Sequence, residues 1–158
     1  PAGRGVAETL KLANGGEATL VDDAYNANPE SMRAAIEGLA RRPGRKIVAL
    51  GEMRELGDGS AALHAGLATS IIAAKVSAAV LSGGEMKHLA DALTARDQSM
   101  RVVHVTGPAE AAEQVKSWLE PGDAVLIKGS NASGMAKVGT ALRQMSESAA
   151  SSQKASGA

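Results

Sequence analysis

The sequence predicts an α/β protein in three layers, with a mostly parallel sheet of about six strands between two layers of helices. Three observations carry this. Short, nearly continuous apolar runs recur at Lys46–Gly51, Val76–Ser82 and Ala124–Ile127, the pattern of strands covered on both faces. Between them, apolar residues return at helical spacing, as at Met32, Ala35, Ile36 and Leu39. The core has to be aliphatic, because 158 residues include one Trp, one Tyr and no Phe. Such a core suits thin helices packed closely on a sheet.

Pro1 to Gly5 is Gly-rich and basic at Arg4, and reads as the tail of a linker. A start on such a stretch, without Met, is expected of a piece of something longer. Val6–Leu12 alternates apolar and polar residues, Asn14-Gly15-Gly16 is a turn, and Ala18–Asp22 is a second strand. The two are compatible with an antiparallel hairpin. Asn28-Pro29 then opens a helix, since Asn is a preferred N-cap and Pro at the first helical position loses no hydrogen bond.

Arg41-Arg42-Pro43-Gly44-Arg45 ends that helix, its charges expected to be solvated. One helix is predicted over Leu63, Leu67, Ala68, Ile71 and Ile72, with His64 inside it. Met86, Leu89, Ala90 and Leu93 mark the next helix, and Arg101–Val105 the next strand. Thr106-Gly107-Pro108 starts a helix with Ala112, Val115 and Leu119 inward and Trp118 as a packing residue at its end. Glu120–Asp123 is a turn before the last strand. Met135, Val138, Leu142 and Met145 form the closing helix. From Ser146 the chain is mainly Ser and Ala with Gly and Gln, a composition expected to stay disordered. The expected divisions are a linker over 1–5, a folded domain over 6–145 and a tail over 146–158.

Lys and Arg balance Asp and Glu at net zero, and the sequence pI is about 7.4. That gives no electrostatic case for nucleic acid or an anionic membrane. No apolar run approaches membrane-spanning length, and no signal peptide is visible. The absence of Cys excludes a disulfide scaffold and a thiolate nucleophile, and suits a reducing cytoplasm. His64, His88 and His104 stand in separate elements, without metal-ligand spacing.

The polar residues that could carry chemistry cluster where strands end. Asp22, Asp23, Tyr25, Asn26 and Asn28 follow the second strand, Glu52 follows Lys46–Gly51, and Lys128-Gly129-Ser130 closes the last one. Lys128 precedes its glycine, so this is not a P-loop, and no strand-to-helix turn carries Gly-x-Gly-x-x-Gly. A parallel, Rossmann-like sheet places all these ends on one edge, where they share a single cleft. Alone, the Asp and Asn residues also fit a turn in which they serve only as caps.

The string Asp22-Asp23-Ala24-Tyr25-Asn26-Ala27-Asn28-Pro29-Glu30-Ser31-Met32 resembles the signature that opens the C-terminal domain of Mur ligases. It is closest to members that add D-alanyl-D-alanine to UDP-N-acetylmuramoyl-tripeptide in peptidoglycan precursor synthesis. Gly51–Gly57 resembles the family's Gly-Asp-Met…Glu-Leu-Gly segment, with Glu52 in place of Asp. Lys128-Gly129-Ser130 resembles the motif at the last strand, with Asn131 where members often carry Arg. Gly3-Arg4 resembles a junction whose guanidinium meets ATP, and His64 after Leu63 resembles a family His.

The resemblance implies an ATP-dependent amide ligase working through an acyl phosphate. The P-loop, the magnesium ligands and the UDP-sugar site would belong to two preceding domains, so this chain would be the lid domain, inactive alone and without catalytic or metal-binding residues of its own. It further implies that Asp23 holds the ATP ribose and Arg4 the ATP oxygens. Tyr25, Asn26 and Asn28 would line the seam between nucleotide and dipeptide. Lys128 and Ser130 would meet the dipeptide's carboxylate, with Glu52 in the same substrate site. Two alternatives stay open: a stand-alone nucleotide- or small-ligand-binding module, and a non-catalytic interaction domain. Folylpolyglutamate-type ligases share the architecture but lack the Tyr-Asn-Ala-Asn-Pro string.

Overall fold

A computed structural model of the chain describes residues 3–157. Six strands, β1 (Val6–Lys11), β2 (Glu17–Asp23), β3 (Lys46–Gly51), β4 (Ala78–Ser82), β5 (Arg101–Val105) and β6 (Ala124–Lys128), form one sheet in the order β1-β2-β6-β3-β4-β5. β1 and β2 make the antiparallel hairpin, and every other pairing is parallel. The helices are α1 (Pro29–Ala40), α2 (Ser60–Gly66), α3 (Ala68–Ala73), α4 (Met86–Arg96), α5 (Pro108–Trp118) and α6 (Ala136–Ser156).

The apolar side chains divide into two cores, one on each face of the sheet. Val48, Leu50, Leu81 and Leu126 meet Ile36, Leu39, Leu67, Ile71 and Leu89 of α1–α4 on one face. Leu20, Ile47, Val80, Val125 and Ile127 meet Val115, Val138 and Leu142 of α5 and α6 on the other. β3, β4 and β6 are buried along almost their whole length, as their continuous apolar runs require. Successive residues of a strand face opposite sides, so each of these strands feeds both cores.

α1 starts as its sequence dictates. Asn28 Oδ1 accepts from the Ser31 N–H at 2.8 Å, and Ser31 Oγ accepts from the Asn28 N–H at 3.0 Å. This reciprocal box, with Pro29 at the first helical position, satisfies donors that a helix start leaves orphaned.

Three expectations need correction. The single helix across Leu63–Ile72 is two short ones, breaking at Leu67, whose N–H bonds back only three residues to the His64 carbonyl at 3.2 Å. Gly66 just before it is where a tighter turn costs least. Arg45 is not a solvated loop charge: Nε and Nη2 bond the buried Asp123 carboxylate at 3.0 and 2.8 Å, and Nη2 also reaches the Trp118 carbonyl. That guanidinium ties the β3 entry to the turn before β6. Last, α6 does not fray at Met145 but continues to Ser156. This end of the helix is docked on the fold, because Ala149 is buried and Gln153 Nε2 donates to the Leu12 carbonyl at 2.9 Å.

Candidate functional site

β2 ends in two consecutive carboxylates that point to opposite faces. Asp22 points toward α6, is almost fully buried, and accepts from Arg143 Nη2 at 2.8 Å and from the Ala24 N–H at 3.2 Å. Arg143 also grips Glu8 of β1 with Nε at 2.9 Å and Nη2 at 2.6 Å. The Arg143 hydrogen bond holds the Glu8 carboxyl below its ordinary range, and Glu8 and Asp22 together keep Arg143 charged. This triad joins the hairpin to the last helix and faces away from the cleft.

Asp23 points toward α1. Directly opposite it in the parallel β2–β6 ladder stands Lys128. Lys128 is 3% exposed, and its Nζ donates to Asp23 Oδ2 at 2.8 Å, to the Asn26 carbonyl at 2.9 Å and weakly to the Asp23 carbonyl at 3.4 Å. An ammonium has three protons, and all three are spent within the chain. Asp23 keeps Oδ1 outside this pair and remains 28% exposed.

A cavity of about 320 Å³ opens in front of this pair. Gly3, Arg4, Asp23, Tyr25, Asn26, Asn28, Ser31 and Lys128 line it. The chain before β1 is built into it, because the Gly5 N–H donates to the Asp22 carbonyl at 2.8 Å and the Tyr25 N–H to the Gly3 carbonyl at 3.1 Å. Those bonds continue the hairpin and set the Arg4 guanidinium 4.2 Å over the Tyr25 ring. Tyr25 is 57% exposed, an aromatic face at the mouth of a polar cavity. Arg4, Asp23, Tyr25, Asn26, Asn28 and Lys128, singled out from sequence, thus stand together. Asp23 also borders a second cavity, of about 370 Å³, that lies between β2 and α1 and ends at Arg41 and Arg42.

Glu52 and Ser130 share the rim but not the cavity. The Glu52 carbonyl accepts from the Ser130 N–H at 2.9 Å, and its carboxylate accepts from the Glu85 N–H at 2.8 Å at the start of α4. Ser130 is buried, and its Oγ caps the following turn by accepting from the Ser133 N–H at 3.2 Å. The two strand exits touch backbone to backbone: a Cβ at Gly129 would stand 3.0 Å from Gly51 Cα, and one at Gly51 would meet Ser133 Oγ at 2.7 Å. Only glycine permits that approach. Glu52 and Ser130 hold neighbouring loops in place; no sequence signal names such backbone partners.

Among the described residues, no group of three His, Asp or Glu stands close enough to hold a metal ion, and no helix is long and apolar enough to cross a membrane.

The chain is similar to known proteins in sequence and in fold. The chain is 35% identical over 144 residues to the UDP-N-acetylmuramoyl-tripeptide–D-alanyl-D-alanine ligase of Mycobacterium tuberculosis (strain ATCC 25618 / H37Rv), covering 78% of this chain and 28% of that protein. It is 32% identical over 127 residues to the ligase of the same name from Escherichia coli (strain K12), covering 79% and 27%. The chain thus spans little more than a quarter of these curated relatives' length. In structure it is similar to the MurF ligase of Thermotoga maritima, solved in complex with ADP, with a TM-score of 0.74 and 25% identity, covering 94% of this chain and 32% of that one. The family model described as "Mur ligase, glutamate ligase domain" matches residues 8–131. The chain belongs to the Mur ligase family, as its glutamate ligase domain.

Proposed function

We propose that this chain is the C-terminal lid domain of an ATP-dependent ligase that joins D-alanyl-D-alanine to UDP-N-acetylmuramoyl-tripeptide in the cytoplasm. The observation that carries the reading is the single cavity uniting Arg4, Asp23, Tyr25, Asn26 and Asn28 at the C-terminal edge of the sheet, in a chain whose curated relatives bear that activity in their names. In this reaction class ATP activates a carboxylate as an acyl phosphate, and the incoming amine displaces phosphate. The residues before β1 act as the linker from the preceding domains, which supply the phosphate loop and the metal ligands. No step is assigned to magnesium on this chain.

The donor set suits one end of a nucleotide. Asp23 Oδ1 accepts from ribose hydroxyls while Oδ2 stays with Lys128, so the carboxylate is already oriented before ligand arrives. The Arg4 guanidinium meets the nucleotide's anionic oxygens with its planar fork. Asn26 and Asn28 present amides toward the dipeptide side, and Tyr25 gives an apolar face between the two. Lys128 serves by fixing Asp23 rather than by touching substrate. Closing this rim over the neighbouring domain excludes water from the activated carboxylate.

Asp23→Ala in the full-length ligase tests the reading. A charge-assisted hydrogen bond contributes about 1.5–3 kcal/mol, so KM for ATP should rise roughly 10- to 150-fold. An unchanged KM for ATP rejects the assignment of this cavity to the nucleotide.

A further inference from the structure

His64 lies outside the cavity, yet its imidazole is wholly committed. It is 0% exposed on the α1–α4 side of the sheet. Nε2 accepts from the Met53 N–H at 3.0 Å, and Nδ1 lies 2.8 Å from the Ser60 carbonyl one turn back in α2. A backbone N–H only donates, so Nε2 must carry the lone pair and Nδ1 the proton that it gives to Ser60. The ring is therefore a neutral strut of fixed tautomer between α2 and the loop that leaves β3.

That loop governs the rim. One residue before Met53, Glu52 takes the Ser130 N–H on its carbonyl and the Glu85 N–H on its carboxylate. Two residues before Ser130, Lys128 holds Asp23. Gly51 and Gly129 let the two strand exits sit in backbone contact, so a displacement of one is felt by the other. The path from His64 through Met53, Glu52, Ser130 and Lys128 to Asp23 is continuous in hydrogen bonds and chain.

We propose that His64 is a positioning residue of the ligase: from inside the core it locks the β3 exit loop, and through it the Ser130–Lys128 segment that orients Asp23. Its last link, to Asp23 and the nucleotide, rests on the ligase reading above. The strut itself does not.

The test compares the wild-type chain with two variants, His64→Leu and His64→Gln. Long-range 15N–1H correlation of the wild-type imidazole should find the proton on Nδ1. In His64→Leu the Met53 N–H loses its acceptor in a dry site, so hydrogen exchange at Met53 and Ser130 should quicken about tenfold, while Thr19 in the hairpin is unchanged. His64→Gln, which keeps an acceptor at the reach of Nε2, should restore slow exchange, and it carries the test if His64→Leu does not fold. A proton on Nε2, unchanged exchange at Met53 and Ser130, or equal quickening at Thr19 overturns the strut. In the full-length ligase, His64→Leu should raise KM for ATP about tenfold with kcat little changed, and His64→Gln should return it. An unaltered KM in His64→Leu overturns the link to Asp23. An unaltered KM in Asp23→Ala instead rejects the assignment of the cavity to the nucleotide and leaves the exchange result standing.

Discussion

The Lys128 ammonium and the Asp23 carboxylate face each other across neighbouring parallel strands at 2.8 Å, the Lys buried and the Asp half-open to the cleft. The buried ammonium holds the partly open carboxylate, and substitution of the lysine separates the two. Lys128→Met removes the cation but not the carboxylate, leaving the Asn26 carbonyl and Asp23 Oδ2 without their donor. We expect a loss of about 1–3 kcal/mol in stability, read from a shift in urea midpoint at constant m. Asp23 stays partly solvated, which keeps the cost below that of a fully buried pair. An unshifted midpoint would mean that the ammonium contributes nothing to holding the rim.

The Glu8–Arg143–Asp22 triad gives the domain an acid limb. Glu8 has a folded-state pKa lowered by Arg143. A carboxyl shifted in that direction stabilises fully above the ordinary Glu value of roughly 4.3. The contribution is lost as pH falls through the lower folded value. Unfolding free energy should therefore fall on acidification below about pH 4, and Arg143→Met should flatten the Glu8 part of that slope. The variant should also lose about 3 kcal/mol near neutrality, because it strands the buried Asp22 carboxylate. Equal slopes in both proteins on denaturant titration across pH would refute this.

Asn28 has two places in the structure, as the cap of α1 and as a lining residue of the cavity. Asn28→Ala should cost about 1 kcal/mol in stability. Asn28→Ser keeps a capping oxygen and should recover that loss. If Asn28 also meets substrate, the Ser variant, though stable, should still show a raised KM for D-alanyl-D-alanine in the full-length ligase. A normal KM there would confine Asn28 to capping.

Removing residues 147–158 tests whether the end of α6 contributes to the fold. The cut deletes the Gln153 bond to the Leu12 carbonyl and the buried Ala149. A loss of about 1–2 kcal/mol in thermal or urea unfolding is expected. Identical curves would show that the last three turns contribute nothing.

How much of this was legible in the sequence follows from range. The strand exits could be read because apolar runs end where polar residues begin, and a parallel sheet aligns those ends whatever the strand order. Cap and turn chemistry at Asn28-Pro29 is local, so it too could be read. Lys128 could not be given its partner, because that needs β2 beside β6 in a register pairing residues 105 positions apart. Arg45 was misread for the same reason, its Asp123 lying 78 positions away. His64 offered a type but no partner, since a backbone N–H leaves no mark in a sequence. The end of α6 differs from expectation because composition does not show the contacts that dock it, the buried Ala149 and the Gln153 bond to Leu12.

β6 is the last of the six described strands in chain order and the one that fills the middle of the sheet, between β2 and β3. Until residues 124–128 are available, β1–β2 and β3–β4–β5 are two unconnected pieces, each with an open inner border of unpaired amides and carbonyls. The domain therefore closes like a keystone arch, late and over long loops, and its nascent stage is the one most exposed to wrong strand pairing. A chain stalled before Ala124 would carry the Asp23 half of the cleft with no lysine to set it.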